Sequence, residues 1–164
     1  MFVINTFKNF GMEHIKSDDF LTIVGSVASV FGGIRFVWSY LIDRYSYKLS
    51  YSIVLCMNIL FGFTLVLVSN IRGLYLFWVS MIVWAEGAHF ALLPTVIAKI
   101  FGPYAALVYG IAFSFVAIAQ ITGSVLVQFE LENIGYETFY YMGSGMSVVA
   151  LLLLYKFKET VVCI

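Results

Sequence analysis

Three ionisable side chains, Arg35, Glu86 and His89, stand inside long apolar stretches. If those stretches lie in lipid, each such group costs roughly 2.5–3.5 kcal/mol near the bilayer centre. A group carrying that penalty needs a partner, a wet cavity or an exit to the interface. Arg35 offers a planar fork of donors that matches a carboxylate, so it is a candidate anchor for an anionic substrate. The plainer reading is a structural arginine that snorkels or pairs with a helix acid. Glu86 and His89 are one turn apart on a single helix face. An acid beside an imidazole is a candidate proton-coupling or pore-lining pair. The plainer reading is a hydrogen-bonded, cavity-facing acid with no part in transport. An Arg35–Glu86 pair would offset much of the burial cost of both. Gln120, in mid-stretch, is a second candidate for contact with substrate, while Asn58 and Gln128 read as helix–helix glue. Pro94 removes a backbone donor and is expected to kink its helix.

Little else in the chain spells chemistry. Within the long apolar stretches Glu86-x-x-His89 is the one close acid–His pair, and it sits deep in its run, which argues against a membrane enzyme. There is no glycine-rich phosphate loop followed by Lys-Ser/Thr. Cys56 and Cys163 have neither disulfide nor metal spacing, so no metal and no cofactor are expected. Cys163, next to last, is also misplaced for prenylation.

The elements that must carry these residues follow from composition. Of 164 residues, 62% are hydrophobic and 11% charged, against roughly 45–50% and about 25% in an ordinary soluble domain. A water-soluble fold of this length has nowhere to hide that surface. Nine basic residues balance nine acidic ones, so no nucleic-acid surface and no acidic tail is indicated. Five stretches reach the roughly 20 apolar residues needed to cross a bilayer: 20–42, 51–69, 74–100, 105–129 and 136–155. None alternates in polarity as a barrel strand would. The expectation is an all-α, multi-pass membrane bundle over 20–158. Segment 1–19 precedes it as an extracellular-side remnant and loop, and 159–164 follows as a tail. The apolar stretch at residues 1–4 is too short for a signal peptide.

Short connectors at 43–50, 70–73, 101–104 and 130–135 make neighbouring spans antiparallel. One side collects Arg44, Lys48, Lys99, Lys156 and Lys158; the other has Lys8, Lys16 and Arg72, with Glu130, Glu132 and Glu137. The bias of bases predicts a cytoplasmic C-terminus. Tyr47, Tyr51 and Tyr136, among other aromatics near span ends, suit interfacial belts. Small residues at Gly25, Ser29 and Gly33, and again at Gly110 and Ser114, predict close helix approach.

After the first span, Ser39, Asp43, Arg44, Ser46, Tyr47 and Lys48 trace a loop that resembles the cytoplasmic motif of the major facilitator superfamily, Gly-x-x-x-Asp-Arg/Lys-x-Gly-Arg/Lys-Arg/Lys. Serines replace both glycines and Tyr47 replaces a base. Asp43 is expected to meet the positive end of a neighbouring helix, with Arg44 and Lys48 holding the rim. Arg35 eight residues before Asp43, Leu93-Pro94-Thr95, the helix end at 98–102 and Val108-Tyr109-Gly110 extend the likeness over nearly the whole chain. It looks like the C-terminal part of carriers related to oxalate/formate antiporters and monocarboxylate transporters. The resemblance implies that the spans are helices eight to twelve, that 5–11 is a remnant after helix seven, and that N-terminal helices are missing. It also implies that Arg35 contacts an anionic substrate. The stretch 105–129 lacks the basic residue that oxalate exchangers carry there, and Phe31 stands where monocarboxylate transporters have an acid.

The expectation is therefore secondary transport of a small solute by alternating access, with a monocarboxylate or similar organic anion as substrate, lipid as the surrounding partner and protons as a candidate coupling ion. The alternative is a non-transporting membrane interaction or scaffold protein.

Overall fold

The computed structural model describes residues 2–156, with side chains for 3–129 and 134–156. The expected tail at 159–164, with Cys163, lies outside the described residues, as do Lys158 and the side chains of Glu130 and Glu132.

In hydrocarbon a backbone N–H or C=O has no water to bond, so long apolar runs close their hydrogen bonds within a helix. Four stretches are long and apolar enough to cross a membrane: Asp18–Arg44, Tyr47–Val68, Arg72–Phe129 and Ile134–Lys156. The third contains two of the five expected spans. As one straight rod of 58 residues it would run about 87 Å, nearly three times the hydrocarbon thickness. It turns back at Gly102–Tyr104, a single 3₁₀ turn entered through Gly102 at φ +49°, a conformation that suits glycine.

The helices in chain order are α1 (Phe2–His14), α2 (Asp18–Gly33), α3 (Phe36–Arg44), α4 (Tyr47–Val68), α5 (Arg72–Phe101) and α6 (Ala105–Lys156). α6 is two limbs joined at Gly135, whose φ of +80° and ψ of 158° leave the helical region. Its earlier limb meets α5, with Phe90 and Phe113 rings 6.3 Å apart; its later limb meets α4, with Phe63 and Tyr141 rings 5.8 Å apart. The polar link expected at 130–135 is thus helical up to a reversal at one glycine.

Two further expectations are corrected. The first span is not a single helix over 20–42. It breaks between α2 and α3, where the Ile34 N–H bonds the Phe31 carbonyl at 3.1 Å and the Val37 N–H bonds the Ile34 carbonyl at 3.3 Å, both tight 3₁₀-type turns. Gly32-Gly33 precede the break, and each glycine costs a helix about 1 kcal/mol relative to alanine. Nor is the N-terminal segment a loop. α1 is a helix packed into the bundle. Phe10 is fully buried, the Tyr75 hydroxyl donates to the Phe7 carbonyl at 2.5 Å, and Lys8 pairs with Asp18 at 2.8 Å.

Helices in lipid gain little from hydrophobicity against one another, so fit decides their packing. One buried cluster joins α1, α2, α4, α5 and the later limb of α6 around Phe10, Leu21, Leu65, Tyr75 and Tyr140; a second joins α3, α4 and α5 around Trp38, Val54, Ala88 and Leu92. Backbones come close at Gly87, where an added Cβ would lie 3.4 Å from the Gly32 carbonyl oxygen and 3.6 Å from Arg35 Cβ. Gly62 likewise leaves no room for a Cβ against the Ser144 hydroxyl. The predicted small-residue stripes do not make these contacts. Gly33 and Gly110 have nothing within 4 Å, while Gly25 faces the Phe7 ring. α5 runs on through Pro94 as one helix, although proline leaves the Phe90 carbonyl without its usual donor.

Candidate functional site

A cavity of about 550 Å³ opens between α1, α4, α5 and both limbs of α6. Its walls follow from helical spacing. On α5, Glu86, His89 and Leu93 recur at three- and four-residue steps and share one face. Val116, Ala119, Gln120, Gly123, Ser124 and Val127 do the same on the earlier limb of α6. α1 contributes Asn5, Thr6 and Asn9, α4 contributes Tyr47 and Tyr51, and Tyr136 completes the wall beside the Gly135 reversal.

Three residues singled out in the sequence, Glu86, His89 and Gln120, therefore meet at one cavity. His89 is positioned by Tyr51, whose hydroxyl lies 3.0 Å from its Nδ1, with the two rings edge to face at 5.3 Å. Tyr51 in turn stacks on Tyr47, centroids 5.3 Å apart and planes 13° from parallel. On the α1 side, the Thr6 and Tyr140 hydroxyls are 3.2 Å apart, which ties the Asn5–Asn9 face to the bundle.

Arg35 is not in this lining. It is an exposed residue at the start of α3, beside Gly87 and so at the depth of Glu86. The described ion pairs do not join it to Glu86. Gly87 and Glu86 are adjacent on α5 but lie about 100° apart around it. One meets α2 and α3, the other the cavity.

The loop-motif residues gather at one end of the bundle. Asp43 does not meet a helix N-terminus; it pairs with Lys99 near the C-terminal end of α5 at 2.9 Å, and the Lys99 ammonium also lies 3.4 Å from the Ile42 carbonyl. Ser46, where the motif has glycine, caps α4 by accepting the Leu49 N–H at 3.1 Å. Lys48 donates to the Tyr155 carbonyl at 2.6 Å and lies over the Tyr155 ring at 4.9 Å. It thereby links α4 to the end of α6. Arg44 is exposed. A smaller cavity of about 240 Å³ beside the Asp43–Lys99 pair shares Tyr47 with the larger one.

Sequence reasoning missed Asn5, Asn9, Tyr47, Tyr51 and Tyr136. The tyrosines suit interfacial belts by sequence position, and the structure puts them in the cavity wall. The available signal was spacing: Asn5 and Asn9, like Tyr47 and Tyr51, stand four apart and share a helix face.

Across the chain, residues 2–161 match the family model described as Major Facilitator Superfamily. No curated protein and no solved structure matches the chain.

Proposed function

The chain belongs to the Major Facilitator Superfamily, and from that membership we propose that its bundle carries a small solute by alternating access, with the 550 Å³ cavity as the solute site. Transmembrane transport is the activity of the family, which favours this reading over a scaffold and over an enzyme. The observation that carries it is the convergence of Glu86, His89 and Gln120 on one cavity. Polar groups are costly at that depth and cluster where they meet water or substrate. Glu86 and His89 are the candidates for proton coupling, and Asp43, Arg44 and Lys48 for holding one access state at the charged end, taken as cytoplasmic. Helices preceding this segment in a larger carrier would face the open side of the cavity.

The test is uptake into proteoliposomes over a panel of small cations, carboxylates and neutral solutes. At least one class should enter faster than into protein-free vesicles, and Ala119→Trp, which fills the cavity, should abolish that uptake. Equal entry with and without the protein for every class would sink the carrier reading.

A second reading keeps an organic anion such as a monocarboxylate as the solute, anchored by Arg35. It is supported by the position of Arg35 at the break in the first span, beside Gly87. It predicts that Arg35→Lys lowers organic-anion uptake at unchanged protein abundance. Unchanged uptake removes it.

A further inference from the structure

We propose that the solute this cavity takes is a lipophilic cation, an amine or quaternary ammonium with an aromatic or alkyl body. The inference rests on the carrier reading only for placing the solute in this cavity. Its ground is the chemistry of the wall. Among the described residues the lining holds one carboxylate, Glu86, and neither lysine nor arginine. An anion entering there would meet a like charge in a low-dielectric setting, where repulsion is weakly screened. A cation meets the opposite sign.

The aromatic residues point the same way. Tyr47 and Tyr51 are stacked on the wall beside His89, and Tyr136 lines it from the later limb of α6. Ring faces carry partial negative charge and attract ammonium groups at close range. Much of the remaining wall is apolar, Leu93 and Val116 among it, and a volume of about 550 Å³ falls in the range of sites for drug-sized molecules. A small hydrated ion would leave that surface unused, whereas an aromatic amine would cover it. Arg35, the group that would favour an anion, stands outside the lining.

The experiment is equilibrium binding to the whole chain in lipid nanodiscs, with three probes of similar size: phenyltrimethylammonium, benzoate and benzyl alcohol. Phenyltrimethylammonium should bind at least tenfold more tightly than either of the others. Glu86→Gln should weaken it at least tenfold while benzyl alcohol is unaffected. Tyr47→Leu should weaken it several-fold, with Tyr47→Phe retaining affinity. Far-UV circular dichroism and size exclusion check that the variants fold, and the preference of the unmodified chain decides the matter if they do not. Equal binding of the three probes, preference for benzoate or benzyl alcohol, or no binding of any probe overturns the proposal. Benzoate binding lost in Arg35→Lys would overturn the cation while leaving the carrier standing, since the carrier is judged by uptake.

Discussion

Glu86 and His89 lie one turn apart on α5, and both line the cavity. His89 is held by the Tyr51 hydroxyl at 3.0 Å, which fixes its ring against α4. Glu86 has the group that exchanges a proton for a cation most directly, because a carboxylate can hold one or the other. If it serves as the coupling site, its amide counterpart has nothing to titrate. An imposed pH gradient should stimulate uptake by the unmodified chain and leave Glu86→Gln unresponsive, as measured in proteoliposomes. A response of equal size in the variant would assign coupling elsewhere. The candidates Glu86, His89 and Gln120 were legible in the sequence because polar groups in apolar runs are expensive. Tyr51 was not, because an aromatic near a span end suits an interface equally well, and its partner is 38 residues away.

At the scale of elements, the two ends of the bundle are held differently. At one end α1 is buried through Phe10 and bonded through Tyr75. At the other, the Asp43–Lys99 pair joins α3 to α5, and Lys48 joins α4 to α6. The pair is about half to two-thirds exposed on its two sides, so it adds only roughly 0.2–1 kcal/mol to stability. That is small for folding but enough to bias two access states of similar energy. Asp43→Lys and Lys99→Asp should each lower uptake, and the double exchange should restore much of it at nearly unchanged thermal stability. Failure of the double exchange would mean that the pair has no role in holding a state. The spans themselves were readable from length and apolarity, whereas the break at Ile34–Arg35 was not. It lies beside the place where Gly32 meets Gly87, a contact between helices far apart in sequence. α1 was missed for a related reason. A 13-residue helix is marginal alone and draws its stability from packing.

For the whole molecule, the exposed face of the earlier α6 limb is telling. Leu107, Ile111, Phe115, Ile118 and Phe129 are all exposed, Phe115 at 68%. Such a continuous apolar surface suits acyl chains or other membrane helices. Inside the same limb, Ala119 and Gln120 line the cavity. One limb thus turns an apolar face outward and lines the cavity with the other, a division on which the proposed carrier depends. The most direct test replaces Cys56 and Cys163 with serine and places a single cysteine at Ala119 or at Phe115. Each protein, reconstituted in liposomes, is then treated with a membrane-impermeant thiol reagent. Ala119→Cys should react readily and be protected by bound solute, while Phe115→Cys stays unmodified. Equal labelling of both positions, or none at Ala119, would contradict a water-filled cavity within the bundle.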